Sequence, residues 1–111
     1  MVRDNAYEEL GDKSLQALFS ESHQHAVVLL LVVDWSGASH IMDTYMEDLS
    51  EKYGKDFQFY WQDVEKFDKL GKRLEVENLP YTFIFKDGEI VDSFQGILSI
   101  RKIETRLESV L

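Results

Sequence analysis

The chain has no cysteine among its 111 residues. This excludes a scaffold held by disulfides, a zinc site with cysteine ligands and catalysis by a thiol. It does not identify a compartment, because proteins on either side of a membrane manage without cysteine. Proline is almost as scarce, since Pro80 is the only one. Because cis peptide bonds occur almost only before proline, the bond before Pro80 is the one place in the chain where a cis bond is readily available.

Basic residues are few relative to acidic ones. The chain has 12 Lys and Arg but 21 Asp and Glu, which gives a net charge of −9. This balance repels nucleic acid and anionic lipid, so we expect neither as a partner. The longest apolar run, residues 26–33, is too short to span a bilayer, and residues 1–7 lack the apolar core of a secretory signal. We therefore expect a cytoplasmic protein.

The composition is that of one ordinary domain over residues 1–111, with 44% hydrophobic and 30% charged residues. Apolar residues at helical spacing predict a short helix from Leu15, and a polar loop at residues 21–25 follows. Residues 26–33 are continuously apolar, which is typical of a central strand covered by helices on both faces. The period then changes and predicts an amphipathic helix over residues 37–53, stopped by Gly54.

The second half of the chain predicts a strand, a helix, a hairpin and a last helix. The strand is aromatic and covers residues 57–61, the helix ends near residue 75, the hairpin joins residues 81–85 to 90–94 through Asp87-Gly88, and Ser99 caps the last helix. Two parallel strands joined by a helix, followed by a crossing helix and a hairpin, predict an α/β sandwich with a mixed sheet.

Residues 34–40 read Asp-Trp-Ser-Gly-Ala-Ser-His and join the buried strand to the long helix. Serine is a favoured N-cap, so we expect Ser36 to cap this helix and Ser39 to lie in its first turn. An alternative is a hydrolytic triad of Ser36, His40 and Asp43. Triads usually draw their residues from separate elements, so the pattern favours the cap.

His23 and His25 offer two metal-ligating side chains in the polar loop. No third ligand with suitable spacing follows, and such a loop is usually only solvated. We predict no metal and no cofactor.

The order of motifs resembles the thioredoxin family from about residue 27 to residue 111. The landmarks are the Trp-Ser-Gly-Ala-Ser segment at residues 35–39, Pro80 before the hairpin, Gly88 in its turn and Gly96 after it. The resemblance implies a thioredoxin-like fold, with a mixed sheet flanked by helices on both faces. It also implies a cis peptide bond between Leu79 and Pro80.

In the family the corresponding segment reads Trp-Cys-Gly-Pro-Cys, so Ser36 and Ser39 occupy the positions of the redox cysteines. An alcohol is far less acidic than a thiol and forms no stable disulfide, so we predict no thiol–disulfide exchange and no enzyme activity. By the same resemblance, Leu30 stands in place of a buried Asp, Trp61 in place of a Lys and Ala38 in place of a Pro. These replacements indicate a site that has departed from redox chemistry as a whole.

The resemblance further implies a groove that holds an extended segment of a protein partner. Its residues are Trp35, Ser36, Gly37, Leu79, Pro80, Gly96 and Ile97. We therefore predict a redox-inactive adaptor or chaperone-like domain that binds through strand addition. The alternatives are a non-redox enzyme using Ser36 or His40, a structural relic of an active ancestor or subunit, and an engineered Cys-to-Ser variant of a thiol-disulfide oxidoreductase. The partner and the oligomeric state stay open.

Overall fold

The computed structural model describes residues 6–111. In this part of the chain five strands and four helices follow one another. They are β1 (Tyr7–Glu9), α1 (Leu15–Glu21), β2 (Ala26–Val32), α2 (Gly37–Tyr53), β3 (Phe57–Asp63), α3 (Lys69–Arg73), β4 (Tyr81–Lys86), β5 (Glu89–Gln95) and α4 (Ile100–Val110). The expectation about a signal in residues 1–7 falls mostly on residues 1–5, which lie outside the described residues.

The five strands form one mixed sheet in the order β1-β3-β2-β4-β5. Strands β1, β3 and β2 run parallel to one another, whereas β4 is antiparallel to both β2 and β5. Strand β2 lies in the middle, and helices cover it on both sides, which explains its continuous apolar sequence. The predicted fold, a mixed sheet between helices, is confirmed.

Alternation along β2 divides the core into two layers. Val28 and Leu30 pack with Met42 and Met46 of α2 and with Ile103 of α4. On the other face, Val27, Leu29 and Leu31 of β2 pack with Leu18 of α1 and Leu70 of α3. Successive strand residues point to opposite faces, so one apolar strand supplies both layers.

The hairpin turn forms as its Asp-Gly sequence predicts. Asp87 and Gly88 both have positive φ, at 54° and 82°, as this type of tight turn requires. The turn is also attached to the end of α1. The backbone N–H of Asp87 donates to the Ser22 carbonyl at 2.9 Å, and that of Gly88 donates to the Ser22 hydroxyl at 2.8 Å.

Three differences separate the observed elements from the predicted ones. Strand β1 was not predicted, β3 continues to Asp63, and α3 is shorter than expected, spanning only Lys69–Arg73. Strand β1 has only three residues and gains its order by pairing with β3, so no local pattern reveals it. None of the helices within residues 6–111 combines the length and apolar character needed to cross a membrane.

Candidate functional site

The two serines at the start of α2 are bound to backbone groups. Ser36 has the extended conformation of an N-cap, and its hydroxyl accepts a hydrogen bond from the backbone N–H of Ser39 at 3.2 Å. Ser39 is 2% exposed, and its hydroxyl accepts from the backbone N–H of Val33, also at 3.2 Å. Both hydroxyls therefore hold the junction between β2 and α2, as the capping prediction requires.

The loop before β4 carries the predicted cis peptide bond, between Leu79 and Pro80. Pro80 is buried, and its carbonyl accepts a hydrogen bond from the backbone N–H of Gly96 at 2.8 Å. Gly96 has φ of 76°, a conformation in which glycine avoids the strain of a side chain. The contact joins two of the groove segments directly.

Leu79 itself has unused backbone groups. Within residues 6–111, neither its N–H nor its C=O takes part in a hydrogen bond, and the residue is half-buried. Backbone polar groups in folded proteins are nearly always paired, with protein or with water. Leu79 therefore presents a donor and an acceptor, as an unpaired strand edge does.

Sheet register brings the groove segments to one edge. Leu31 lies opposite Tyr81 in the β2/β4 pair, and Tyr81 lies opposite Gln95 in the β4/β5 pair. Consequently the segments that follow β2, precede β4 and follow β5 lie at the same edge of the sheet. These segments contain six of the seven residues predicted for the groove, and the seventh, Gly37, is the first residue of α2.

Two large apolar side chains at this edge are exposed. Trp35 is 75% exposed and Ile97 is 45% exposed. The Trp35 indole N–H donates to a carboxylate oxygen of Glu65 at 2.9 Å, which ties the ring to the segment after β3. This contact with Glu65 could not be predicted from sequence, because the two residues are 30 positions apart.

The alternative triad is not assembled. His40 Nε2 donates to the backbone carbonyl of Asp34 at 2.6 Å, and Asp43 accepts a hydrogen bond from the Tyr7 hydroxyl. The Ser36 hydroxyl is occupied in capping α2. Each member of the supposed triad therefore has a different partner, and no proton path runs from the serine through the histidine to the carboxylate.

Asp43 lies in the lining of a cleft between α2 and strands β1 and β3. We call it the acidic cleft. Its volume is about 330 Å³, and its lining includes Tyr7, Asp34, His40, Asp43, Glu47, Trp61 and Asp63. Burial and, secondarily, the hydrogen bond to Asp43 raise the pKa of Tyr7 well above its usual range. Tyr7 therefore stays protonated and acts as a hydrogen-bond donor.

The core beneath the α2 start contains a polar group without a partner among the described residues. Leu30 is fully buried and lies directly opposite Thr82 on the neighbouring strand. The Thr82 hydroxyl is buried and has no hydrogen-bond partner within the described residues. Leu30 corresponds by resemblance to a buried Asp, so the unpaired hydroxyl lies beside a position where the family has a carboxylate.

The histidine pair forms no metal site in this part of the chain. The His23 ring packs against Gly88, where an added Cβ would come within 2.6 Å of it. Across residues 6–111, no three His, Asp or Glu side chains are grouped closely enough to hold a metal ion.

The fold and the site together define a thioredoxin-type domain that contains no cysteine. The family model for thioredoxin matches residues 7–109. The chain is 30% identical over 91 residues to the chloroplastic thioredoxin Y of Oryza sativa subsp. japonica, covering 82% of this chain and 54% of that protein. It is 31% identical over 77 residues to the chloroplastic thioredoxin Y1 of Arabidopsis thaliana, covering 69% of this chain and 45% of that protein.

A solved structure with the same fold is the oxidized mitochondrial thioredoxin 3 of Saccharomyces cerevisiae, with a TM-score of 0.79 and 21% identity. The match covers 95% of this chain and 96% of that one. The chain belongs to the thioredoxin family. It spans about half the length of the plant thioredoxins that it matches.

Proposed function

We propose that this chain is a redox-inactive thioredoxin-family domain that binds an extended segment of a protein partner in the groove, as an adaptor or chaperone-like module. Thiol–disulfide exchange needs a thiolate, and the chain has no cysteine to supply one. Binding by strand addition needs only backbone donors and acceptors with apolar contacts beside them. Such binding therefore uses the backbone and apolar parts of the site, which do not depend on sulfur.

The observation that carries this proposal is the unpaired backbone of Leu79 next to the cis peptide bond. A partner strand lying along Leu79 would receive one hydrogen bond from its N–H and donate one to its C=O. The exposed side chains of Trp35 and Ile97 lie at the same sheet edge, where they supply apolar contact. Aromatic side chains at such positions often contribute most to binding energy.

Charge around Trp35 suggests the character of the partner. Asp34 and Glu65 are both exposed, and Glu65 is bonded to the indole itself. Opposite charges across an interface favour the correct partner and raise its association rate. We expect the bound segment to combine a large apolar residue with a Lys or Arg nearby.

The test begins with selection of peptides from a random displayed library on the intact protein. Chemical shifts of the backbone amides then report where a selected peptide binds. We expect the Leu79 amide to shift among the most. Methylating the peptide nitrogen that pairs with Leu79 should weaken binding at least about tenfold, because it removes a main-chain donor.

Two exposed apolar residues of nearly equal exposure provide a matched control. Ile97 is 45% exposed in the groove, and Val91 is 46% exposed in the first half of β5, away from the groove. Ile97→Ala should weaken peptide binding about tenfold and Trp35→Ala about thirtyfold, whereas Val91→Ala should leave it unchanged. Failure to select any peptide, or equal binding by all three variants, contradicts the proposal.

A further inference from the structure

A second depression lies on the other face of the sheet, between the loop before α1 and the segment leading into α3. We call it the basic pocket. It has a volume of about 380 Å³, and the charged side chains in its lining are Lys13, Lys66, Lys69, Arg73, Asp12 and Asp68. Four cations face two carboxylates, in a protein whose net charge is −9. The pocket is therefore a local reversal of the overall charge.

The positive charge in this pocket exceeds the negative charge that could balance it. Asp68 is paired with Lys72 at 2.9 Å, and Lys13 donates to the Tyr60 hydroxyl at 2.9 Å. The side chains of Lys66, Lys69 and Arg73 make no hydrogen bond and no ion pair within residues 6–111. Lys69 also interacts electrostatically with Asp68, so Lys66 and Arg73 are the two lining cations without a partner in this part of the chain, and Asp12 is the other carboxylate in the lining.

A buried polar group in the same wall also lacks a partner. Gln62 is 2% exposed, and its side-chain Nε2 donates to the Gly11 carbonyl at 2.7 Å. Its Oε1 accepts no hydrogen bond from any described residue. Gln62 and Gly11 both line the pocket. A buried amide oxygen without a donor is unfavourable, and a hydroxyl group that reached it from the pocket would satisfy it.

We infer that the basic pocket binds a small phosphate monoester that carries a hydroxyl group. Lys66, Lys69 and Arg73 would hold the phosphate oxygens, because guanidinium and ammonium groups form strong, charge-assisted hydrogen bonds with them. The ligand hydroxyl would donate to Gln62 Oε1. The volume lies in the range of small-molecule sites and exceeds what a single phosphate group fills.

This inference does not depend on the groove. The groove lies at the edge of the sheet beside the start of α2, and none of its seven residues lines the basic pocket. The net charge of the whole protein repels anions. Binding of a phosphate here would therefore depend on the cations of the pocket and not on long-range attraction.

Two probes that differ only in hydroxyl groups provide the test. Glycerol phosphate has the required hydroxyl, and propyl phosphate has the same charge and similar size without it. Amide chemical shifts of the intact protein, followed at constant ionic strength, give both dissociation constants. We expect about 1 mM or below for glycerol phosphate and at least about fivefold weaker binding for propyl phosphate.

A matched pair of double variants locates the site. Lys69→Gln with Arg73→Gln removes two pocket cations, whereas Arg101→Gln with Lys102→Gln removes two exposed cations from α4. The first should weaken glycerol phosphate binding about tenfold or more, and the second should not change it. Absence of binding, equal effects of the two double variants, or equal affinity for the two probes would overturn the inference.

Discussion

The acidic cleft and the basic pocket lie on opposite faces of the same strand and carry opposite charge. Both reach the carboxyl end of β3, where Trp61 and Asp63 line the acidic cleft and Gln62 lines the basic pocket. Because strand residues alternate between faces, three consecutive positions serve two separate surfaces. The sheet therefore separates regions of opposite charge within a chain that is acidic overall.

The two faces also differ in how their unpaired polar atom is surrounded. On the α2 face, the Thr82 hydroxyl lies opposite Leu30 within the apolar core. On the α1 face, Gln62 Oε1 lies beside a polar depression. The first lies beside Leu30, where the family resemblance implies a carboxylate, and the second belongs to a residue that lines the proposed ligand pocket. The stabilities of point variants on the two faces test this contrast.

The largest effects should come from truncating the two core layers. Met46→Ala removes a fully buried side chain from the α2 layer, and Leu18→Ala does the same in the α1 layer. Each should lower the free energy of unfolding by about 2–5 kcal/mol, measured by urea denaturation. A cost below about 1 kcal/mol for Leu18→Ala would show that packing of the short helix α1 adds little to the stability of the sheet.

The serines at the start of α2 should differ in their effects. Ser39→Ala leaves the buried N–H of Val33 without a partner and should cost about 1–3 kcal/mol. Ser36→Ala removes an N-cap and should cost about 1 kcal/mol, as should Ser99→Ala, which removes the corresponding cap of α4. If Ser36→Ala destabilises the protein much more than Ser99→Ala, Ser36 has a role beyond capping.

Substitution of the two residues with an unpaired polar atom should change stability by smaller amounts, and in different directions. Thr82→Val removes the unsatisfied hydroxyl at nearly constant volume and should be neutral or stabilise the protein by up to about 1 kcal/mol. Gln62→Met breaks the hydrogen bond to Gly11 and should cost about 1 kcal/mol. Equilibrium unfolding in urea measures both. A clear destabilisation by Thr82→Val would contradict the dry, partnerless environment assigned to its hydroxyl.

The smallest effect is a pH dependence at the contact between α2 and α4. The Tyr53 hydroxyl donates to Glu108 at 2.7 Å, and this bond, followed by burial, raises the pKa of Tyr53 from 10.0 to about 12. A pKa raised by folding stabilises the protein below pH 10, and the contribution is lost as pH rises through 12. Stability should therefore fall over this interval.

Tyr53→Phe should flatten that part of the stability profile, and absorbance of tyrosinate follows the titration directly. Tyr60 is the control on the other face, because burial, above all, raises its pKa too while its hydroxyl donates to Glu21. Tyr60→Phe should leave the Tyr53 contribution in place. Equal alkaline profiles for the wild type and Tyr53→Phe would show that the Glu108 bond adds nothing.

Elements with a strong local signal were predictable from sequence. The helix over residues 37–53 has the predicted bounds, and the hairpin turn forms at Asp87-Gly88. Both could be predicted because a hydrophobic period and a turn sequence depend only on residues close together in the chain. Strand β1 was missed because its order comes from pairing with Phe59, Tyr60 and Trp61, far away in sequence. Helix α3 was predicted too long, since Glu75, with φ of 57°, already lies outside it.

Some features of the candidate site could likewise be predicted from sequence, and others could not. The Ser36 cap could be predicted from residue type, and the cis bond before Pro80 followed from family resemblance. The bond from Trp35 to Glu65 and the surroundings of Gln62 depend on segments joined only by the folded sheet. The groove as a binding surface, the cytoplasmic location and the absence of enzyme activity stay predictions.

The cap formed by the Ser36 hydroxyl has a consequence for regulation. A paired dithiol exchanges between reduced and oxidised forms according to the redox potential of its surroundings, and its environment changes with it. A serine hydroxyl that accepts a backbone hydrogen bond has a single form under reducing and oxidising conditions alike. The hydrogen bond at the start of α2 is therefore independent of redox potential, and the proposed groove would stay equally available to a partner under reducing and oxidising conditions.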